Sequence, residues 1–174
     1  KPVLLNAGIG INTGLCSVGN MGSKQRFAYS ALGDAVNLAS RLEGQTKAYG
    51  VNILIGPDTC RKGARNMATL ELDRLRVKGK VEPVDIYTLL GDEEMAKSDA
   101  FATWRDLHEE MLLFYRMMDW TMAEDLIRKC MALPNAAALR EYYEMVMRRV
   151  SLYRDYPPVE KGQEWDGVYV AQSK

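Results

Sequence analysis

A helix with well-defined ends is predicted in the first third of the sequence. Asp34 is a favourable N-cap, because its carboxylate can accept hydrogen bonds from the free backbone N–H groups of the first turn. Apolar residues from Val36 to Ala48 then supply surface that can be buried against a core. Gly50 can adopt the left-handed conformation that commonly ends a helix. We therefore predict a helix from Asp34 to about Tyr49.

Extended apolar segments lie on both sides of this helix. Gly14, Gly33 and the pair Gly56-Pro57 separate them, and glycine and proline commonly mark turns. Predicted strands occupy residues 3–12, 15–19, 26–32, 51–55, 70–77 and 84–90, with a turn at 20–23 and a short helix from Pro57. Because helices and strands alternate and the last two strands form a hairpin, the sequence indicates an α+β sheet domain.

The composition changes after Gly91, which ends a first predicted domain at residues 1–91. Residues 92–100 are polar and acidic and are predicted to be a linker. Residues 101–155 predict a helical hairpin with a third helix, with breaks near Asp119 and at Pro134. Residues 156–174 begin with Tyr156-Pro157-Pro158 and predict an extended C-terminal tail whose aromatic strand folds back onto the domain.

Charge and cysteine content exclude several classes of function. The formal net charge is +0, so nothing in the composition favours nucleic acid or an anionic membrane as a partner. The three cysteines are far apart and the single histidine, His108, lies in a charged helical stretch, which argues against a zinc site. No run of about 18 apolar residues occurs. We expect reduced thiols and a cytoplasmic location for this part of the protein.

The predicted helix carries two side chains suited to a phosphorylated ligand. Asn37 and Arg41 are four residues apart and therefore project from one side of the helix near its N-terminus. A helix N-terminus favours anions, and the planar guanidinium of arginine can bind two phosphate oxygens at once. The same spacing is also common on solvated helix faces, so spacing alone leaves both interpretations open.

The wider pattern of motifs is more specific. Four segments occur in order: Gly8-Ile9-Gly10-Ile11-Asn12-Thr13-Gly14, Val18-Gly19-Asn20-Met21-Gly22, Tyr29-Ser30-Ala31-Leu32-Gly33-Asp34-Ala35-Val36-Asn37-Leu38-Ala39-Ser40-Arg41-Leu42-Glu43 and Val77-Lys78-Gly79-Lys80. Together they resemble the class III adenylyl and guanylyl cyclase domain, and its bacterial adenylyl branch in particular. This resemblance covers about half of the chain and implies the C-terminal half of a ferredoxin-like catalytic domain, followed here by an α-helical tail.

The resemblance implies a role for each of four residues. Arg41 matches the arginine that stabilises charge on the α-phosphate in the transition state, and Asn37 matches the asparagine that orients the ribose. Ser30 matches the position that reads the purine base, where a hydroxyl favours ATP without excluding GTP. Lys78 matches the lysine at the terminal phosphates, with Lys80 beside it, although a solvated turn lysine is an alternative interpretation.

The same resemblance implies a reaction and its partners. The enzyme would be an adenylate cyclase, a phosphorus-oxygen lyase that converts ATP to 3′,5′-cyclic AMP and pyrophosphate for signalling. It would use two Mg²⁺ or Mn²⁺ ions, with ligands expected upstream of residue 1, and would form a homodimer with shared active sites. We expect the isolated chain of 174 residues to be inactive as an enzyme. Any membrane attachment is expected to come from upstream segments. A guanylate cyclase and a degenerate domain acting as a nucleotide-binding or regulatory partner are the alternatives.

The helices after residue 100 also have two interpretations. They weakly resemble one tetratricopeptide-type unit, a fold that binds proteins, but such repeats generally need at least three units for an independent core. The other interpretation is a helical cap that packs on the preceding domain or on its twin.

Overall fold

The computed structural model describes residues 7–21, 28–76, 82–160 and 163–170. A 3₁₀ turn at Pro134–Leu139 separates the last two helices. The remaining elements, in chain order, are β1 (Ile9–Ile11), β2 (Ser17–Met21), β3 (Ala28–Leu32), α1 (Asp34–Tyr49), β4 (Ile53–Ile55), α2 (Pro57–Lys62), β5 (Ala68–Arg76), β6 (Val84–Gly91), α3 (Glu93–Ala96), α4 (Asp99–Arg116), α5 (Trp120–Ala132), α6 (Arg140–Asp155) and β7 (Val168–Val170).

Five of the strands form one mixed sheet in the order β1-β4-β6-β5-β7. The outer pairs, β1 with β4 and β5 with β7, are parallel, whereas β6 runs antiparallel to β4 and to β5. An irregularity between Glu71 and Asp73 interrupts the pairing of β5 with β6. Strands β2 and β3 form a separate antiparallel hairpin. The sheet with helices confirms the predicted α+β class.

Helix α1 lies very close to β1. A Cβ atom on Gly10 would collide with the carbonyl oxygen of Ala39 and the backbone of Glu43, so the glycine is what allows the two backbones to approach. On the core side of α1, Leu38 and Leu42 are buried. These contacts fix both the position and the rotation of α1 on the sheet.

The C-terminal end of α1 agrees with the prediction, whereas its N-terminal end differs by one residue. Gly50 has φ 62° and ends the helix in the left-handed conformation, as predicted. The N-cap is Gly33, not Asp34, so the cap residue has no side chain that could accept a hydrogen bond from the first turn. Asp34 is instead the first helical residue, where its negative charge favours the positive end of the helix dipole.

The helices after residue 92 pack on the sheet and share its core. Leu42, Leu54 and Ile86 belong to the same buried cluster as Trp104 of α4 and Val150 of α6. This packing agrees with the interpretation of the helices as a cap on the preceding domain. The domain boundaries themselves stay a prediction.

Short elements also occur between the longer helices of this region. The segment 92–100, predicted as a linker, contains the single turn α3, because Asp92 accepts a hydrogen bond from the backbone N–H of Met95. Ser98 then caps α4 through the N–H of Phe101. The predicted break at Pro134 is the start of the 3₁₀ turn, and the third long helix begins at Arg140.

The aromatic C-terminal strand was correctly predicted to fold back. Strand β7 pairs in parallel with the end of β5, where Leu75 lies opposite Tyr169. Within the described ranges, no helix is long and apolar enough to cross a membrane.

Candidate functional site

The predicted phosphate-binding side chains both lie on α1. Asn37 is exposed and Arg41 is half-buried. Ala35 and Ala39 face Gly14 and Gly10, so helical geometry places Asn37 and Arg41 on the opposite side of α1 from β1. The structure therefore brings these two side chains together on one helix face, as predicted from their spacing.

The guanidinium of Arg41 has an unusual environment. Its Nη1 atom is out of contact with solvent and has no hydrogen-bond partner in the described part of the chain. A buried polar group without a partner typically costs about 1–3 kcal/mol. No ion pair between described residues includes Arg41 either. This N–H donor is therefore unsatisfied within the described residues.

Ser30 lies on the hairpin that leads into α1. It is exposed in β3, opposite Gly19 of β2, and only Ala31, Leu32 and Gly33 separate it from the helix. No hydrogen bond within the described ranges joins Ser30 to Asn37 or Arg41. The structure places Ser30 on an exposed strand next to the helix without showing a direct contact.

The two remaining predictions concern a phosphate-binding lysine and the metal ions. Lys78 and its neighbour Lys80 lie in segment 77–81, outside the described residues. Among the residues that the structure describes, no group of three or more His, Cys, Asp or Glu side chains converges as metal ligands would. By themselves, the described residues therefore offer no such cluster to the two ions that the resemblance implies.

Two clefts among the described residues lie away from Arg41. One, of about 660 Å³, opens between α4 and the β5–β6 pair and includes Tyr87, Arg105 and Arg116. Another, of about 380 Å³, lies at the C-terminal end of α1 and includes Lys47 and Glu141. Asn37 and Arg41 line neither of these clefts.

A buried polar cluster that the sequence did not predict joins the sheet to the helices. Asp73 and Arg149 form a salt bridge of 2.6 Å with only 3% and 9% of their side chains exposed. Tyr49, the last residue of α1, donates a hydrogen bond of 2.7 Å to the same carboxylate. The available signal was the position of Arg149 beside Val146 and Val150, on the apolar face of α6.

Comparison with known proteins addresses the first half of the chain. The family model described as the adenylate and guanylate cyclase catalytic domain matches residues 3–91. Adenylate cyclase 1 of Rhizobium meliloti (strain 1021) is 39% identical over 82 residues, which are 47% of this chain and 12% of that protein. The adenylate cyclase of Anabaena cylindrica is 42% identical over 90 residues, which are 48% of this chain and 17% of that protein.

The chain is also similar to a solved structure. The crystal structure of the adenylyl cyclase CyaB from P. aeruginosa aligns with a TM-score of 0.43 and 39% sequence identity, covering 48% of this chain and 41% of that one. This score is too low to support an argument about fold. The two curated relatives are far longer than this chain, so the similarity concerns one segment of each. Since the family match nevertheless spans half of the chain, from residue 3 to residue 91, the protein belongs to the adenylate and guanylate cyclase catalytic domain family.

Proposed function

We propose that this chain belongs to an adenylate cyclase and supplies the part of the active site that contacts the ribose and the α-phosphate of ATP. The observation that carries the proposal is the unpartnered Nη1 of Arg41, on the helix that also presents Asn37. A phosphate oxygen is an acceptor well matched to a guanidinium N–H. Similarity of residues 3–91 to cyclases supports this ligand over other phosphate compounds.

The proposed chemistry is an intramolecular phosphoryl transfer. The ribose 3′-oxygen attacks the α-phosphorus, the bond from that phosphorus to the bridging oxygen breaks, and pyrophosphate leaves while the 3′-hydroxyl proton passes to solvent. Arg41 stabilises the charge that develops on the α-phosphate oxygens, and Asn37 holds the ribose so that the 3′-oxygen faces the phosphorus. Loss of one such donor typically raises the barrier by about 3–4 kcal/mol.

Base selection and assembly form the second part of the proposal. Ser30, exposed on β3, contacts the adenine edge through its hydroxyl, and Lys78 contacts the terminal phosphates. The site is completed in a homodimer, with two Mg²⁺ or Mn²⁺ ions bound by residues other than those described here. We place this part of the protein in the cytoplasm.

The test compares one arginine substitution with one lysine substitution in the same helix, α1. In the protein that contains this chain, Arg41→Ala should lower kcat for cyclic AMP formation by at least ~100-fold, with little change in thermal unfolding. Lys47→Ala removes a positive charge from the exposed last turn of α1 and is the matched control, with kcat expected within about twofold of the parent.

Product identity distinguishes the alternatives. Cyclic GMP formed faster than cyclic AMP would identify a guanylate cyclase. ATP binding without either product would identify a degenerate, nucleotide-binding domain. An unchanged kcat in Arg41→Ala would remove Arg41 from the mechanism and contradict the proposal.

A further inference from the structure

The buried cluster around Asp73 connects three parts of the fold. Its carboxylate accepts hydrogen bonds from Tyr49 of α1 at 2.7 Å, from Arg149 of α6 at 2.6 Å and from the backbone N–H of Arg74 at 2.9 Å. Both oxygens of the carboxylate are therefore used. A buried charge is stable in such a place only because it is paired and fully hydrogen-bonded.

The guanidinium of Arg149 is equally constrained. Besides Asp73, it donates to the hydroxyl of Tyr115 at 3.3 Å, and its Cζ lies 3.6 Å from the ring centroid of Tyr169 in β7. Contacts on several sides leave this side chain little freedom to move. Arg149 thus holds Asp73, and through it Tyr49, in one defined arrangement.

Tyr49 is the last residue of α1, the helix that carries Asn37 and Arg41. Arg41 is eight residues before Tyr49, about 12 Å along the axis at 1.5 Å per residue. The turn after Tyr49 also touches α6, since a Cβ atom on Gly50 would collide with the side chain of Glu141. The last turn of α1 is therefore held from the α6 side, while β1 holds its other side.

We propose that Arg149 is a positioning residue, which acts through Asp73 and Tyr49 to fix α1 and thereby sets where Asn37 and Arg41 lie. The inference rests on the proposed function of those two side chains. It extends that function to a residue outside the segment matched by the cyclase family model, which ends at residue 91. A displacement of about 1 Å at reacting groups can change a rate by about 10²-fold, so anchoring of α1 has consequences for turnover.

The first variant is Tyr49→Phe, which removes one hydroxyl and keeps the buried ring. In the protein that contains this chain, we expect kcat to fall about 2- to 30-fold, the range typical of coupling through packed networks, with KM for ATP within about twofold. All rates are measured well below the unfolding temperature of each variant. Arg148→Met, on the exposed neighbouring position of α6, is the control and should leave kcat unchanged.

A second pair of variants separates positioning from folding. Arg149→Met should lower both kcat and stability, because it leaves a buried carboxylate without its partner. The double variant Asp73→Asn, Arg149→Met removes both charges and should recover much of the unfolding temperature. If positioning is the role, kcat stays low in the double variant. Recovery of kcat together with stability, or a normal kcat in Tyr49→Phe, would overturn the inference.

Amide hydrogen exchange measures the anchoring of α1 without relying on enzyme activity, so it tests this inference independently of the proposed function. If the parent protein forms no cyclic nucleotide, the proposed function fails, but the anchoring of α1 can still be measured. Amides at residues 45–49 should then exchange about tenfold faster in Tyr49→Phe than in the parent, while those of β5 and β6 stay unchanged. Equal exchange of residues 45–49 in the two proteins would contradict the anchoring itself.

Discussion

We predict that the single histidine of the chain, His108, makes the folding stability depend on pH. His108 is completely buried in α4, where Nε2 lies 2.6 Å from the carbonyl oxygen of Glu71 and Nδ1 lies 2.8 Å from the hydroxyl of Tyr143. A carbonyl only accepts, so we assign the proton of the neutral ring to Nε2. Nδ1 then accepts from Tyr143, whose oxygen accepts in turn from Nε1 of Trp104 at 2.7 Å.

The neutral ring therefore satisfies every group in this chain of hydrogen bonds. Burial, assisted by the positive charge of Arg116, lowers the pKa of His108 from 6.5 to about 4. Between these two values the unfolded chain binds a proton that the folded protein does not bind, so folding stability rises with pH. This contribution is fully present above pH 6.5 and is lost as the pH falls to about 4. A difference of about 2.5 pKa units corresponds to about 3 kcal/mol.

The assay is urea unfolding of the parent and of His108→Gln at several pH values from 7 to 4. Glutamine keeps a donor and an acceptor but does not titrate, and carboxylates titrate alike in both proteins, so their effect cancels in the difference. We expect the stability advantage of the parent to shrink by about 3 kcal/mol over this range. A difference that is constant with pH, or an imidazole NMR titration near pH 6.5 in the folded protein, would refute the assignment.

Three further tests use other substitutions. Tyr142→Phe should lower the free energy of unfolding by about 1–3 kcal/mol in urea, because the Leu72 carbonyl loses a buried donor at 2.7 Å. Gly10→Ala should lower it by about 1–3 kcal/mol through collision with α1, whereas Gly19→Ala, with open space at its Cβ position, should change it little. Ser30→Ala should reduce the ratio of kcat/KM for ATP over GTP by about 3- to 10-fold in nucleotide assays, the value of one hydrogen bond.

Local signals in the sequence were sufficient for the elements that carry the candidate site. Gly50 fixed the end of α1, and the helical period placed Asn37 and Arg41 on one face. The N-cap was wrong by one residue because Asp34 suits both the cap and the first turn, and only the backbone of Gly33, with φ 147° and ψ 165°, decides between them. Segment 92–100, predicted as a linker, also contains helical residues, since Asp92 and Ser98 are typical of linkers and of helix starts.

Long-range partners could not be predicted in this way. The apolar period of α6 indicates which side of Arg149 faces inward, but not that Asp73, 76 residues earlier, is its partner. His108 was assigned to a charged helical stretch, yet it lies in the core against a strand 37 residues away. The pairing of β7 with β5 was expected only in general terms, since its register depends on the geometry of the whole sheet.

The way in which helices cover one edge of β5 explains why the helical segment and the sheet share one core. Among the described strands, β7 pairs with β5 only from Arg74 to Arg76, so the preceding part of that edge has no strand beside it. Backbone carbonyl groups left unpaired at a sheet edge can pair with a strand of another chain unless they are covered. Here Glu71 and Leu72 direct their carbonyl oxygens to His108 and Tyr142, which arrive from two different helices. The helices therefore act as a substitute for a missing strand, and the same contacts bring α6 to the end of α1.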